Sequence, residues 1–215
     1  CTGYGGGGIM ETVAKALGIP LNPISKLAMY YLARSLGGFS PTGDTGAYIR
    51  DVVKALSVYG AVYKTLHSDL NPQSQFRVAP SQAALSEALN HQALEYISVP
   101  IDVQTVKNAL ASKYPVVYGI PIYSNFPQFG QFENIPMPSG SLLGWHCMYL
   151  FGHDDNRQAF HNRSSWSSTW GEGGNAWLPY AYFQAYAQDS WLVRVVEGSA
   201  PTPPPPPPPT PTYIL

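Results

Sequence analysis

The chain opens on CTGYGGGGIMETVAKALG, in which four consecutive glycines, Gly5 to Gly8, run directly into a helical pattern. Ile9, Val13, Ala16 and Leu17 recur at helix spacing, and Gly18 ends the segment. Each glycine inside a helix costs about 0.8–1 kcal/mol relative to alanine, so a helix that includes the run is weakened by several kcal/mol. Local stability alone does not favour such a segment. Two explanations stay open at this level: a neighbour packs unusually close to the helix, or the run loosens it.

Length and composition allow a sizeable core. With 215 residues, 45% of them hydrophobic and with 15 Tyr, 8 Phe and 5 Trp, the chain can fold as one domain or as two closely joined lobes. Twelve Lys and Arg against thirteen Asp and Glu leave a net charge of -1 with no basic cluster, so nucleic acid is not an expected partner. No apolar run approaches the roughly 20 residues of a membrane span. The two cysteines do not make a disulfide framework, which points to an intracellular or reducing setting, or to a particle assembled there. Cys147 sits in GWHCMYLFG, a run of strand formers, whereas Cys1 stands at a helix start, where the helix dipole stabilises a thiolate. Cys1 is therefore the expected reactive thiol.

The first half of the chain is helical in pattern. NPISKLAMYYLARSLGG offers Asn22 as a cap, Pro23 in the first turn and an apolar face of Ile24, Leu27, Ala28 and Tyr31. TGAYIRDVVKALSVYG carries the stripe Ile49, Val52, Val53 and Leu56 and stops at Gly60. Shorter helices are expected near Ser81–Leu89 and, behind Asp102 as a cap, near Val103–Ala111. From Pro115 the pattern turns to strands: PVVYGIPIY, WHCMYLFG, QAFHNRSS, NAWLPY and SWLVRVVE. The order implies an α+β arrangement, with segment 124–143 as an ordered surface loop over or beside the cleft. Pro203 to Pro209 form an unbroken proline run, so segment 198–215 is expected as a proline-rich tail, a polyproline II spacer or an arm that docks an assembly partner.

A thiol at a helix start needs an imidazole beside it to act as a nucleophile. Of the five histidines, His146 stands out because it follows Gly144 and Trp145 at the start of an apolar strand, from which it can project into a cleft. GWHCMYLFGHDD followed by HNRSSWSSTWGEGGNAWLPYAY resembles the histidine strand and the Asn-Ser-Trp segment of papain-like, cathepsin-like cysteine peptidases. CTGY, GDTGAYIRDVVKALSVYG and VKNALASKYPVVYGIPIYSNF are similar to that family's nucleophile helix, substrate-binding turn with its helix, and first lobe-crossing strand. The spacing from Cys1 to His146 falls within the roughly 130–150 residues separating these groups in that family.

The resemblance covers residues 1–197 and implies a papain-like two-lobed fold: a helical lobe over about 1–111, an antiparallel β lobe over about 112–197, and the active-site cleft between them. It implies a cysteine endopeptidase acting on peptide or protein substrates without cofactor or metal. Cys1 would be the nucleophile and His146 its base and acid, as a thiolate–imidazolium pair. Trp166 would shield the imidazole, Trp170 would be structural, the backbone at Thr45 and Gly46 would pair with an extended substrate, and Trp145 would line the cleft. Three departures accompany the likeness. Ser164 replaces the Asn that orients the imidazole, and its shorter side chain predicts a bond that is absent or carried by water. Asn162 lies on the same face about 6.6 Å away along the strand. The family's oxyanion-hole Gln falls upstream of Cys1, and the glycine run stands where family members carry larger residues, including an aromatic residue where this chain has Thr2. These departures keep a second reading in view, a catalytically weak or inactive papain fold serving as a structural or binding component of a larger assembly. The formal G-x-G-x-x-G at Gly3, Gly5 and Gly8 follows no strand and fails as a dinucleotide motif, and the His146–His161 segment lacks metal-ligand spacing.

Overall fold

The computed structural model describes residues 1–195; the proline-rich segment expected over 198–215 lies outside them. Helices α1 (Thr2–Leu17), α2 (Lys26–Leu36) and α3 (Ile49–Val58) come first, followed by the short α4 (Pro72–Gln75) and α5 (Gln82–Ala88). Then come β1 (Glu95–Val99), α6 (Val103–Ala111), β2 (Val116–Tyr123), β3 (Leu142–Asp154), β4 (Ala159–Arg163), β5 (Asn175–Pro179), α7 (Tyr180–Tyr186) and β6 (Gln188–Arg194). The strands form one antiparallel sheet in the order β1-β6-β2-β3-β4-β5. No helix among the described residues is long and apolar enough to cross a membrane.

Strand alternation in the middle of the sheet feeds two cores. Val117 and Cys147 face α1, α2 and α3 in the first core. Val116, Tyr118, Met148 and Leu150 face the second, which α6, α7 and the 124–143 segment complete with Val106, Phe183 and Phe126. The architecture is α+β, as the change of period along the sequence implies.

Four local expectations shift. Helix α1 starts at Thr2, so the glycine run lies wholly within it. Helix α2 begins at Lys26 rather than beside Asn22, because Ser25 caps it and Asp69 supplies what no local residue does. The Asp69 carboxylate accepts from Ser25 Oγ, Lys26 N and Leu27 N at 2.8–3.1 Å, satisfying the open donors of the first turn from 42 to 44 residues away. Strand β1 falls inside the stretch read as helical; its mostly exposed residues show no alternation, and it pairs with β6 through the register Glu95↔Arg194. Tyr180, read as the last residue of a strand, instead opens α7. Asp102 caps α6 as expected, accepting from Thr105 N at 2.7 Å.

The glycine run resolves in favour of close packing. A Cβ on Gly5 would stand 2.6 Å from Cys147 Sγ, on Gly6 2.7 Å from Val52 Cγ2, and on Gly8 2.5 Å from Tyr149 Cε1. Successive residues turn by about 100°, so consecutive glycines admit α3 on one side and β2 and β3 on another. Gly7 differs, since its Cβ would meet only the pliable end of the Lys26 side chain, 2.8 Å from Cδ. Gly6→Ala should therefore lower stability by about 1–3 kcal/mol through overpacking, despite a gain of about 1 kcal/mol in helix propensity. Gly7→Ala should stay within about 1 kcal/mol of the parent. Melting temperatures of the two variants check this, and a Gly6→Ala protein as stable as the parent would contradict the packing.

Candidate active site

Cys1 is the N-cap residue of α1, exposed, with no capping bond from its side chain. On the facing strand, Gly5 lies against Cys147 and Gly8 against Tyr149, so α1 and β3 run in the same direction. Helix and strand rise by about 1.5 and 3.3 Å per residue, and one turn back from Gly5 brings Cys1 level with the Trp145–His146 end of β3.

His146 is buried there, 7% exposed, with its ring stacked on Trp166 at 4.9 Å between centroids and 29° between planes. Trp166 is fixed by edge contacts from Phe126 and Trp170, with centroids 5.8 and 5.6 Å away. Trp170 donates from Nε1 to the Pro127 carbonyl at 2.8 Å, so the 124–143 segment supports the indole wall. His146 Nε2 lies 3.2 Å from Ser164 Oγ, a direct hydrogen bond between two buried groups. The expectation of an absent or water-carried bond is thereby corrected, because Ser164 starts the irregular segment directly after β4 and approaches the ring closely enough for a hydroxyl to reach. With Nε2 engaged, Nδ1 is the nitrogen left for other chemistry. Asn162 is no substitute: it is fully buried and engaged with Tyr118 Oη at 2.9 Å and Met148 Sδ at 3.2 Å.

Cys147 turns to the opposite face and is 3% exposed, and burial pushes its thiol up to about 12. Burial likewise pushes the His146 imidazole down from 6.5 to about 3.

A cleft of about 280 Å³ is lined by Cys1, Thr2, Tyr30, Asp44, Gly46 and Phe76, among others. Gly46, at φ 76°, holds the turn open, but its amide already donates to Tyr30 Oη at 2.9 Å. Thr45 is exposed and its hydroxyl donates to the Gly46 carbonyl at 3.2 Å. A second cavity of about 200 Å³ borders Ser164 and Trp166 from the α1 side. The structure thus joins His146 with Ser164 and Trp166, and Cys1 with Gly46. Trp145 is half exposed beside His146 and lines neither cavity. Sequence reading missed Tyr30, Asp44 and Phe76, which gather from α2, a turn and the residue capping α4. It also missed Lys26, which is buried against Gly7 and pairs with Glu11 at 2.6 Å; a lone lysine at the head of an apolar helix was the available signal. Among the described residues no three of His, Cys, Asp and Glu converge as metal ligands would.

Solved protease structures share this arrangement of helices and sheet. Xylellain, a cysteine protease from Xylella fastidiosa, superposes with a TM-score of 0.83 at 27% identity over 92% of this chain and 80% of its own. The fold is papain-like. Other papain-like neighbours include the bromelain protease from Ananas comosus in complex with the E64 inhibitor, with a TM-score of 0.67 at 16% identity over 91% and 89% of the two chains. An uncharacterised peptidase C1-like protein of Acanthamoeba polyphaga mimivirus is 28% identical over 186 residues, which is 80% of this chain. The chain spans 59% of that relative's length. No protein-family model matches the sequence.

The depressed His146 has a measurable consequence. The unfolded chain binds a proton near pH 6.5 and the folded chain only near pH 3, so the histidine's contribution is complete above the first value and is lost as pH falls toward the second. His146→Gln should flatten this acid limb. Melting temperatures between about pH 7 and pH 3 check it, and a variant that keeps the parent's full acid slope would refute the assignment.

Proposed function

We propose that this chain is a cysteine peptidase, with Cys1 as nucleophile and His146 as its base and acid. The observation that carries the reading is the 3.2 Å contact of His146 Nε2 with Ser164 Oγ on the face of Trp166, since it leaves Nδ1 to serve a thiol at the head of α1. A thiol proton passes to Nδ1 as Sγ attacks the substrate carbonyl, and the imidazolium then returns it to the departing amine. Water, deprotonated by the same nitrogen, releases the acyl group from sulfur. Desolvation disfavours the charged ring, while a thiolate within about 4–6 Å favours it, so imidazolium and thiolate are stable together rather than singly. Trp166 keeps water from one face of the pair, Ser164 is a positioning residue, and Thr45, Gly46 and Trp145 border the extended substrate.

The alternative, a weak or inactive papain-like component of a larger assembly, is favoured by one feature. The Gly46 amide that would pair with an extended peptide is already bonded to Tyr30.

Thiol-dependent cleavage of a fluorogenic peptide library separates the two readings. Cys1→Ala and His146→Ala should abolish cleavage. Ser164→Ala should lower kcat by about tenfold with KM little changed, as expected when an orienting bond worth about 1 kcal/mol is lost. Limited alkylation should label Cys1 and spare Cys147. A parent protein that cleaves nothing, with Cys1 no more reactive than Cys147, would leave the assembly reading in place.

A further inference from the structure

Asp44 is the one carboxylate among the described residues lining the cleft that also holds Cys1. It is exposed, and Oδ1 accepts from Tyr30 Oη at 2.6 Å. Tyr30 Oη in turn accepts from Gly46 N at 2.9 Å, so a single hydroxyl ties the carboxylate to the cleft turn. Oδ2 takes part in no hydrogen bond or ion pair among the described residues. Burial, followed by the Asp44 hydrogen bond, raises the Tyr30 phenol above its ordinary value, which keeps it a donor.

Neither cation nearby makes an ion pair with Asp44. Lys26, on the same wall, lies 2.6 Å from Glu11 Oε1. Arg34 is fully buried, sits 4.0 Å from the Tyr30 ring centroid and donates to the carbonyls of Gly43 and Phe76. The cleft therefore presents an oriented acceptor with one oxygen, Oδ2, left open to a ligand, while the charge of the buried Arg34 acts on it from behind the Tyr30 ring without an ion pair. Tyr30, Pro72 and Phe76 beside it offer apolar surface suited to the methylene stem of a long side chain. A carboxylate exposed to water gains little from one ion pair, but beneath a bound peptide the same pair is partly desolvated and counts for more.

We propose that Asp44 is a specificity-determining residue that selects substrates placing a lysine or arginine side chain in this cleft. The inference rests on the reading of Cys1 as nucleophile, and it names the substrate class.

The test pairs peptides that carry arginine with peptides that carry citrulline, its neutral isostere, in turn at each of the residues on the acyl side of the scissile bond. In the parent protein kcat/KM should favour arginine by about tenfold or more at one position, and Asp44→Asn should bring that ratio close to one whatever its absolute rates. Asp44→Glu should restore part of the preference. A second readout needs no turnover: the same peptides, as uncleaved amides, should protect Cys1 from iodoacetamide, arginine better than citrulline, in the parent but not in Asp44→Asn. If nothing is cleaved and this protection is still seen, the peptidase reading fails and the recognition of a basic side chain stands. Cleavage or protection without an arginine preference, or a preference that survives Asp44→Asn, overturns the proposal.

Discussion

The first half of helix α1 touches its surroundings through glycines, and the first core closes around that contact. Had Gly5, Gly6 and Gly8 carried side chains, Cys147, Val52 and Tyr149 could not stand where they do. The helix is intrinsically poor, so its order comes from neighbours that close around its backbone rather than from its own propensity. The close approach also has a chemical consequence. It sets the register of α1 on β3, and that register carries the exposed thiol of Cys1 to the same level as the imidazole of His146. A looser contact would leave both groups present and their separation undefined.

The imidazole is held by groups from separate parts of the chain. β3 delivers the ring, the segment after β4 delivers Ser164 and Trp166, and the 124–143 segment braces the indole through Phe126 and Pro127. Burial that fixes the ring also opposes its charge. On the proposed reading, such a site holds a neutral base at rest and gains its ion pair only together with the Cys1 thiolate. Serine in the orienting position shortens the tether without severing it, because the backbone brings Ser164 close to the ring.

On the opposite side of Cys1, the Asp44–Tyr30–Gly46 chain gives the cleft its polar character. Tyr30 comes from α2, whose start depends on Asp69. The cleft wall is thus fixed by a carboxylate from a distant loop as much as by the helix that bears the tyrosine.

Much of this was legible in the sequence. Period-2 and period-3.6 patterns mark the main helices and strands, Asp102 announces α6, and alternation along WHCMYLFG separates Cys147 from His146, because these signals are local and the backbone geometry that reads them is fixed. The sequence also singled out Cys1, His146, Ser164 and Trp166 as candidate residues. Tertiary structure alone decided the rest. It turned the glycine run into close packing, formed β1 from a segment without a pattern by pairing it with β6, started α2 at Ser25 through Asp69, and brought Ser164 within bonding distance of the ring. It also assembled Tyr30, Asp44 and Phe76 into one cleft. Each of these outcomes depends on groups far apart in the chain meeting at distances of a few ångströms, and residue spacing along a sequence carries no measure of that separation.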